Sequence, residues 1–438
     1  MRITFIRPNL YDMRSSDALQ PLVFSILKGL TPDDVETLFY DERLEAIPFN
    51  EATDLVAMTV ETFTARRSYQ IADEFRKRGV PVVMGGYHAT FLPDEALEHA
   101  DAVVIGDAEG LWEMVVEDTR TNSLQKIYRQ DVHPGLKQLN YDRSIFRGKR
   151  YRPATPVQYG RGCRFACDFC SIHAFYGKDL RQRDIPEVIA EIKALSPHHV
   201  FLVDDNLFVD LDKARALFEA LIPLKITWSC QVSIDITRHE DVLRLMRRSG
   251  CISALIGFES LNEDNLAQMK KKWNVKYGDY EVAIKKLKSL GIMLYGTFVF
   301  GYDHDTPDSF RTTLDFALRH NFFLANFNPL MPTPGAGLYD RLEKEGRLLY
   351  DKWWLAESYR YGDATFQPKN MTAKQLTDGC FMARKEFNYY NSIFRRAFSY
   401  RDNWFNPYRL GIFLASNVVA RWEILDKQGR TLGGCSPA

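Results

Sequence analysis

The sequence predicts an α/β protein: a Rossmann-like parallel-sheet domain, a second series of strand–helix units, and a mainly helical C-terminal region. Three observations carry this reading. Short β-branched runs alternate with amphipathic stretches over residues 1–125, the alternation returns over 153–345, and residues 346–438 are rich in aromatics set among Arg and Lys.

Taken in order, residues 3–6, 35–41, 55–60, 81–85 and 102–105 read as strands, with a helix over 68–78. Gly85-Gly86-Tyr87-His88-Ala89-Thr90 follows one of these strands, at the edge where open parallel sheets bind ligands. Gly85 and Gly86 permit close backbone approach there. Residues 126–152, with Pro134-Gly135 and mixed charge, read as a linker. Strands at 200–203, 226–233, 253–259, 293–300 and 325–330 then alternate with helices at 185–195, 211–221, 240–249 and 280–290. Counting the short apolar segment 156–159, this makes six units, and such units carry chemistry at strand C-termini. In the last region Thr372 is a helix N-cap, and most of the aromatics, among them Trp353, Trp354, Tyr359, Phe366, Phe387, Phe394, Trp404 and Phe405, are expected in the core, the rest lining a lid over the barrel mouth.

At 438 residues, with 26% charged and 45% hydrophobic residues, the chain is an ordinary globular protein of two or three domains. Lys+Arg 57 against Asp+Glu 57 leaves no net charge, and so no global footprint for nucleic acid or an anionic membrane. The runs Arg147-Gly148-Lys149-Arg150-Tyr151-Arg152 and Lys270-Lys271-Lys272 read as solvated faces. No segment reaches the roughly 18–20 apolar residues of a membrane span, residues 410–420 being the longest candidate. Met1-Arg2 leads into a strand without a signal-peptide core, and Cys230, Cys251, Cys380 and Cys435 are scattered rather than arranged as a disulfide framework. A reducing, cytoplasmic setting is expected.

The most informative stretch holds Cys163, Cys167 and Cys170 in a C-x3-C-x2-C spacing. Thiolates are soft ligands, so a metal or an iron–sulfur cluster is implied. The plain alternative is structural zinc with His173 as fourth ligand. Contiguous ligands at the end of a short apolar strand favour a cluster loop, and three Cys leave one iron of a 4Fe-4S cluster open.

Arg161-Gly162-Cys163, this spacing and the aromatic Phe169 before the last Cys together resemble the radical S-adenosylmethionine (SAM) superfamily, whose partial TIM-type (β/α)6 barrel the six units match. The resemblance implies that the cluster reduces SAM to a 5'-deoxyadenosyl radical, which takes hydrogen from an unactivated carbon, with flavodoxin, ferredoxin or a reductase as electron donor. It places the SAM amino group at Asp204, Asp205 and Asn206, its carboxylate and ribose at Gln231, Ser233, Glu259 and Ser260, and the adenosyl group beside Gly296 and Gly301. Asp205 and Glu259 are expected to serve SAM rather than folding. Pro332-Thr333-Pro334-Gly335 resembles the L-T-P-x-P-G-T signature of a cobalamin-type subgroup, with Met331 where that pattern has Thr.

Residues 82–106 and the string Ala100 to Glu109 resemble the cobalamin-binding-like domain that precedes many such barrels. No D-x-H-x-x-G string supplies a lower-face histidine, and Asp131-Val132-His133-Pro134-Gly135 has the wrong spacing. The expected reaction is cobalamin-dependent C-methylation of a lipid, tetrapyrrole or small natural product, with the face 59–62 and 85–90 turned toward the SAM site. The alternatives are a cobalamin-free radical dehydration, rearrangement or cyclisation on a domain that only scaffolds, and a metal-stabilised binding module without turnover.

Overall fold

The computed structural model describes residues 1–11, 14–277 and 280–434 and contains two six-stranded parallel sheets. The first holds β1 (Arg2–Arg7), β2 (Glu36–Asp41), β3 (Leu55–Thr59), β4 (Val82–Gly85), β5 (Ala102–Ile105) and β6 (Ile127–Arg129) in the order β2-β1-β3-β4-β5-β6. Strand order reverses between β1 and β3, the point where doubly wound sheets open a crevice for ligands. β3 is an unbroken apolar run because it is covered on both faces. The helix Ala65–Lys77 buries Tyr69, Ile71, Ala72 and Phe75 on one side. β6 lies inside the stretch expected as a linker, so the first sheet runs to Arg129; its three residues alternate exposed and buried, too short a pattern to stand out in the sequence.

The second sheet contains β7 (Thr155–Val157), then, beyond the short antiparallel ribbon of β8 (Gly160–Arg161) and β9 (Arg181–Gln182), β10 (His199–Leu202), β11 (Thr227–Val232), β12 (Cys251–Glu259), β13 (Met293–Phe300) and β14 (Leu324–Pro329). Every neighbouring pair is parallel, in the order β14-β13-β12-β11-β10-β7. The expected six units are present. Helices Ile185–Leu195 and Leu211–Leu221 fall where the apolar periodicity puts them, and Asp210 caps the second by accepting from the amides of Asp212 and Lys213 at 3.0 and 3.1 Å.

The C-terminal region is helical, with helices at Ala373–Phe387, Tyr390–Ala397, Arg401–Phe405 and Pro407–Lys427. Thr372 caps the first through a reciprocal pair with Gln375 at 3.1 and 2.8 Å. This region is not a separate layer. Trp353, Trp354, Tyr359 and Leu432 enter the core of the first sheet beside Met58, Tyr69 and Met84, whereas Phe366, Leu376 and Phe387 join the barrel core. The expectation that the aromatics are mostly core fails further on, because Tyr389, Tyr390, Phe394, Phe398, Trp404 and Phe405 are exposed. No described helix is long and apolar enough to cross a membrane. Cys435 lies outside the described residues.

Candidate functional site

β7 ends at Val157, and the chain turns at once into the cysteine loop. Two neighbouring carboxylates at the end of β10 hold that turn. Asp204 accepts from the amides of Tyr159, at 3.2 Å, and Gly160, and Asp205 accepts from Gly162 at 2.8 Å. Burial pushes the Asp204 carboxyl up to about 7 and also raises Asp205. Asp204, expected to meet the SAM amino group, is therefore spent on backbone. Asp205, expected to serve SAM rather than folding, fixes the loop as well. Gly162 has φ +92°, and a Cβ there would lie 2.1 Å from the Asp179 carbonyl, so the Arg-Gly-Cys glycine is a packing requirement.

Asn206 reaches the thiols. Its Nδ2 donates to Cys163 Sγ at 3.7 Å and to Ser233 Oγ at 3.2 Å, while its Oδ1 accepts from Phe208 N. Burial pushes the Cys167 thiol up to about 12, with Lys271 opposing and Cys170, Glu259 and Cys163 adding, and it raises Cys170 too. Cys167 and Cys170, raised in this way, ionise only when cationic metal offsets the charge, which suits a cluster. Among the described residues no three His, Cys, Asp or Glu side chains converge on a single ion. His173 donates from Nδ1 to the Gly177 carbonyl at 3.0 Å, turning that nitrogen inward to its own helix. The engagement of His173 fits three thiolates on a cluster better than a closed zinc site.

The loop is bolted to the barrel. Phe165 stacks on Trp273 at 3.7 Å, Tyr302 donates to Asp168 at 2.6 Å, and Phe169 packs against the barrel core. At the end of β12, Glu259 takes φ +61° and pairs with Lys271 at 2.7 Å. Lys271, expected in a solvated run, is buried, and its Nζ also donates to the Gly257 carbonyl at 2.9 Å. Gln231 is exposed and donates to the Asp205 carbonyl at 3.1 Å; Ser260 accepts from Asn262 N at 3.0 Å. Gly296 and Gly301 do not open toward an adenosyl group. A Cβ on Gly296 would strike the Phe322 ring at 2.4 Å, and on Gly301, at φ +113°, Phe366 at 2.7 Å. Both are packing glycines.

A cavity of about 330 Å³ lies between the two sheets. Its first wall is the C-terminal edge of the first sheet, with Arg7, Thr59, Glu61, Gly85, Gly86 and Gly106. Its second is the cysteine loop and the helix after it, with Gln158, Arg161, Phe175 and Tyr176. An apolar recess of Leu22, Ile26, Val83, Val104 and Trp112 continues it. Gly86 has φ +94°, and a Cβ would lie 2.6 Å from Thr59 Oγ1. Tyr87 enters the cavity edge-on to Phe175 at 4.6 Å, and burial keeps its phenol and that of Tyr176 protonated. His88 turns away, onto Glu95 at 3.0 Å and Thr62 at 3.3 Å. His133 sits behind the wall on Asp107, at 3.0 Å.

Arg161 ties the walls together, donating to Asp107 at 2.9 Å and Glu109 at 2.6 Å while almost fully buried. Gly335 at φ +82° lies against Phe91, so Pro332-Thr333-Pro334-Gly335 is a contact between barrel and first domain. Sequence reasoning missed Arg161, Phe175, Tyr176 and Lys271. Only Arg161 carried a signal, two residues before Cys163 and facing the acidic pair after β5.

Residues 157–317 match the Radical SAM superfamily and residues 27–116 the B12 binding domain. The chain is a radical SAM enzyme with an N-terminal B12-binding domain. A 4Fe-4S cluster and SAM are the cofactors of this radical SAM enzyme, and its B12-binding domain supports cobalamin beside them. It is 29% identical over 397 residues to the bacteriochlorophyllide d C-12(1)-methyltransferase of Chlorobaculum tepidum, covering 88% of this chain and 86% of that one. It is 25% identical to the anaerobic magnesium-protoporphyrin IX monomethyl ester cyclase of Cereibacter sphaeroides, over 86% of this chain and 67% of that one. Its fold is shared with the radical SAM methyltransferase TsrM of Kitasatospora setae, at a TM-score of 0.63 and 15% identity over 78% of this chain and 75% of that one.

Proposed function

We propose that this enzyme transfers a methyl group to an unactivated carbon of a polycyclic or tetrapyrrole-like small molecule. The observation that carries the reading is the cavity shared by the B12-binding edge and the cysteine loop. At about 330 Å³ it is at the small end of ligand sites and would hold part of a corrinoid rather than the whole. When bound, the cluster supplies the electron that splits SAM and the cobalamin a carrier for the methyl group.

The protein's part follows from its own residues. Cys163, Cys167 and Cys170 are the proposed cluster ligands; Asp204 and Asp205 fix their loop, and Asn206 steadies Cys163. Glu259 with Lys271, Gln231 and Ser260 shape the SAM side of the mouth. The Phe165–Trp273 stack covers the loop and keeps water from it. Gly106, where a Cβ would meet nothing within 4 Å, and Gly85 leave the backbone open to a ligand, Gly86 packs on Thr59, and the hydrogen-bonded phenols of Tyr87 and Tyr176 line the same cavity. Residues up to Arg129 form the proposed cobalamin domain, Thr155 to Pro329 the barrel. A low-potential donor such as flavodoxin or ferredoxin and a reducing cytoplasmic setting complete the proposal.

The second reading, a radical cyclisation or rearrangement, is favoured by the likeness to the cyclase. Anaerobic reconstitution with hydroxocobalamin, reductant, SAM and candidate tetrapyrroles or polycyclic lipids separates the two. Methyl transfer yields S-adenosylhomocysteine beside 5'-deoxyadenosine and a product heavier by one methylene. 5'-Deoxyadenosine alone, with an unmethylated product, overturns it.

A further inference from the structure

The aromatic side chains that leave the core after residue 388 form one connected surface. Tyr390, Phe394 and Phe398 follow one another at helical spacing, and Trp404 packs on Phe398 at 5.8 Å. Trp404 is 65% and Phe405 80% exposed. The Trp404 indole N–H donates to the Phe398 carbonyl at 2.9 Å, so what Trp404 shows to solvent is hydrocarbon. The helix Arg401–Phe405 is held from beneath, by Asn403 on the Ala397 carbonyl at 2.8 Å and by Arg409 on Asn403 at 2.9 Å. A protruding, pre-positioned Trp-Phe pair is costly to leave in water and unusual on a free surface.

This helix is a ridge between two grooves, of about 1010 and 290 Å³, which share Asp402 and Arg409. The larger is lined by Lys285, Lys288, Arg401 and Arg409 against Glu281 and Asp402. Asp402 is already engaged by Arg247 at 3.0 Å. Among the described residues Lys285, Arg395 and Arg401 have no carboxylate partner, whereas Lys288 is turned inward, donating to the His320 carbonyl at 3.0 Å over the Tyr400 ring. Exposed aromatics flanked by unpaired cations have the chemistry of an interfacial anchor: rings at the headgroup level, Arg and Lys on anionic lipid. A second copy of this chain fits poorly, because a two-fold interface would set the same cations against each other.

The grooves also reach Thr227, Gly250 and Gly291, which lie at the N-terminal ends of β11, β12 and β13. The cysteine loop is at the other end of those strands. We propose that Trp404, Phe405 and the surrounding cations dock the enzyme on an anionic phospholipid bilayer. It stands on the base of the barrel with its mouth and cobalamin domain facing away from the lipid.

The test is cosedimentation of the holoenzyme with phosphatidylcholine vesicles containing either no phosphatidylglycerol or about one third of it. Binding is expected only with the anionic lipid, weakening with salt, and falling about tenfold in Trp404→Ala/Phe405→Ala and in Arg395→Glu/Arg401→Glu. Brominated lipid should quench the parent's fluorescence more than that of Trp404→Phe. Iron content and 5'-deoxyadenosine formation in solution should be unchanged in every variant, showing intact folding. Absence of binding at low salt, or binding untouched by Trp404→Ala/Phe405→Ala, overturns the proposal. So does a parent that light scattering shows as a dimer and that same variant as a monomer.

Discussion

Glu259 and Lys271 form an ion pair of 2.7 Å at the end of β12, with 10% and 7% of their side chains exposed. The carboxylate sits on a residue with φ +61°, in the left-handed region that a non-glycine residue occupies only when its surroundings hold it. The pair therefore belongs to the fold as well as to the barrel mouth. Removing one charge strands the other in a dry site, at about 3–5 kcal/mol. Glu259→Gln and Lys271→Met should each be markedly destabilised in urea titrations, and the double variant less than their sum. A Glu259→Gln protein as stable as the parent would show that the pair is not structural.

Arg161 bridges the two walls of the cavity through Asp107 and Glu109. In Arg161→Met Asp107 keeps Arg181 and His133, whereas Glu109 keeps no ion pair among the described residues. The first domain should then separate more readily from the barrel. Limited proteolysis should cut faster within residues 130–152, and hydroxocobalamin, followed by its absorption spectrum, should bind at least about tenfold more weakly. An unchanged cleavage rate would mean that the walls are held elsewhere.

Cys230 and Cys251 are buried on β11 and β12, away from the cysteine loop in sequence and packed in the core. Cys230→Ala and Cys251→Ala should keep the iron and sulfide content of the parent while losing about 1 kcal/mol of stability. Loss of iron in either would disprove the assignment to Cys163, Cys167 and Cys170 alone.

Asp305 is buried, accepts from Gly301 N and Asn265 Nδ2 at 2.9 Å each, and has its carboxyl pushed up to about 6 by desolvation. A carboxyl raised on folding stabilises below its unfolded pKa of 3.8, and that contribution is lost as pH rises through about 6. Between pH 5 and 7.5 the parent should lose about 1 kcal/mol that Asp305→Asn does not. Thermal melts of both proteins at the two pH values, read as a difference, cancel other titrations. A gap that does not change with pH would show that Asp305 titrates normally.

Much of this architecture was legible because it is written at two periods. β13 and the helices Ile185–Leu195 and Leu211–Leu221 begin and end where the sequence places them, since apolar runs and turn residues mark their ends. The cysteine spacing was equally plain. What sequence could not give was the direction of polar groups at strand ends. Asp204 looks like a ligand residue until its carboxylate is found on two backbone amides. Lys271 looks like a member of a charge run until Glu259 draws it inward. Gly296 and Gly301 read as approach points because the rings that fill their empty sides come from distant residues, Phe322 and Phe366. The late aromatics were misread for the opposite reason, as residue type says nothing of which helix face is left without a neighbour.

The packing of Trp353, Trp354 and Leu432 into the first sheet has a consequence for the order of synthesis. The first sheet emerges from the ribosome before the second and lacks part of its own core until residues made hundreds of positions later arrive. Gly433 N, donating to the Leu10 carbonyl at 2.8 Å, closes almost the whole chain into a loop. Contacts of such long sequence separation are slow to form. A nascent or truncated chain that lacks Leu432 and Gly433 should thus present an incompletely closed N-terminal domain, and the segment that carries them acts as its latch.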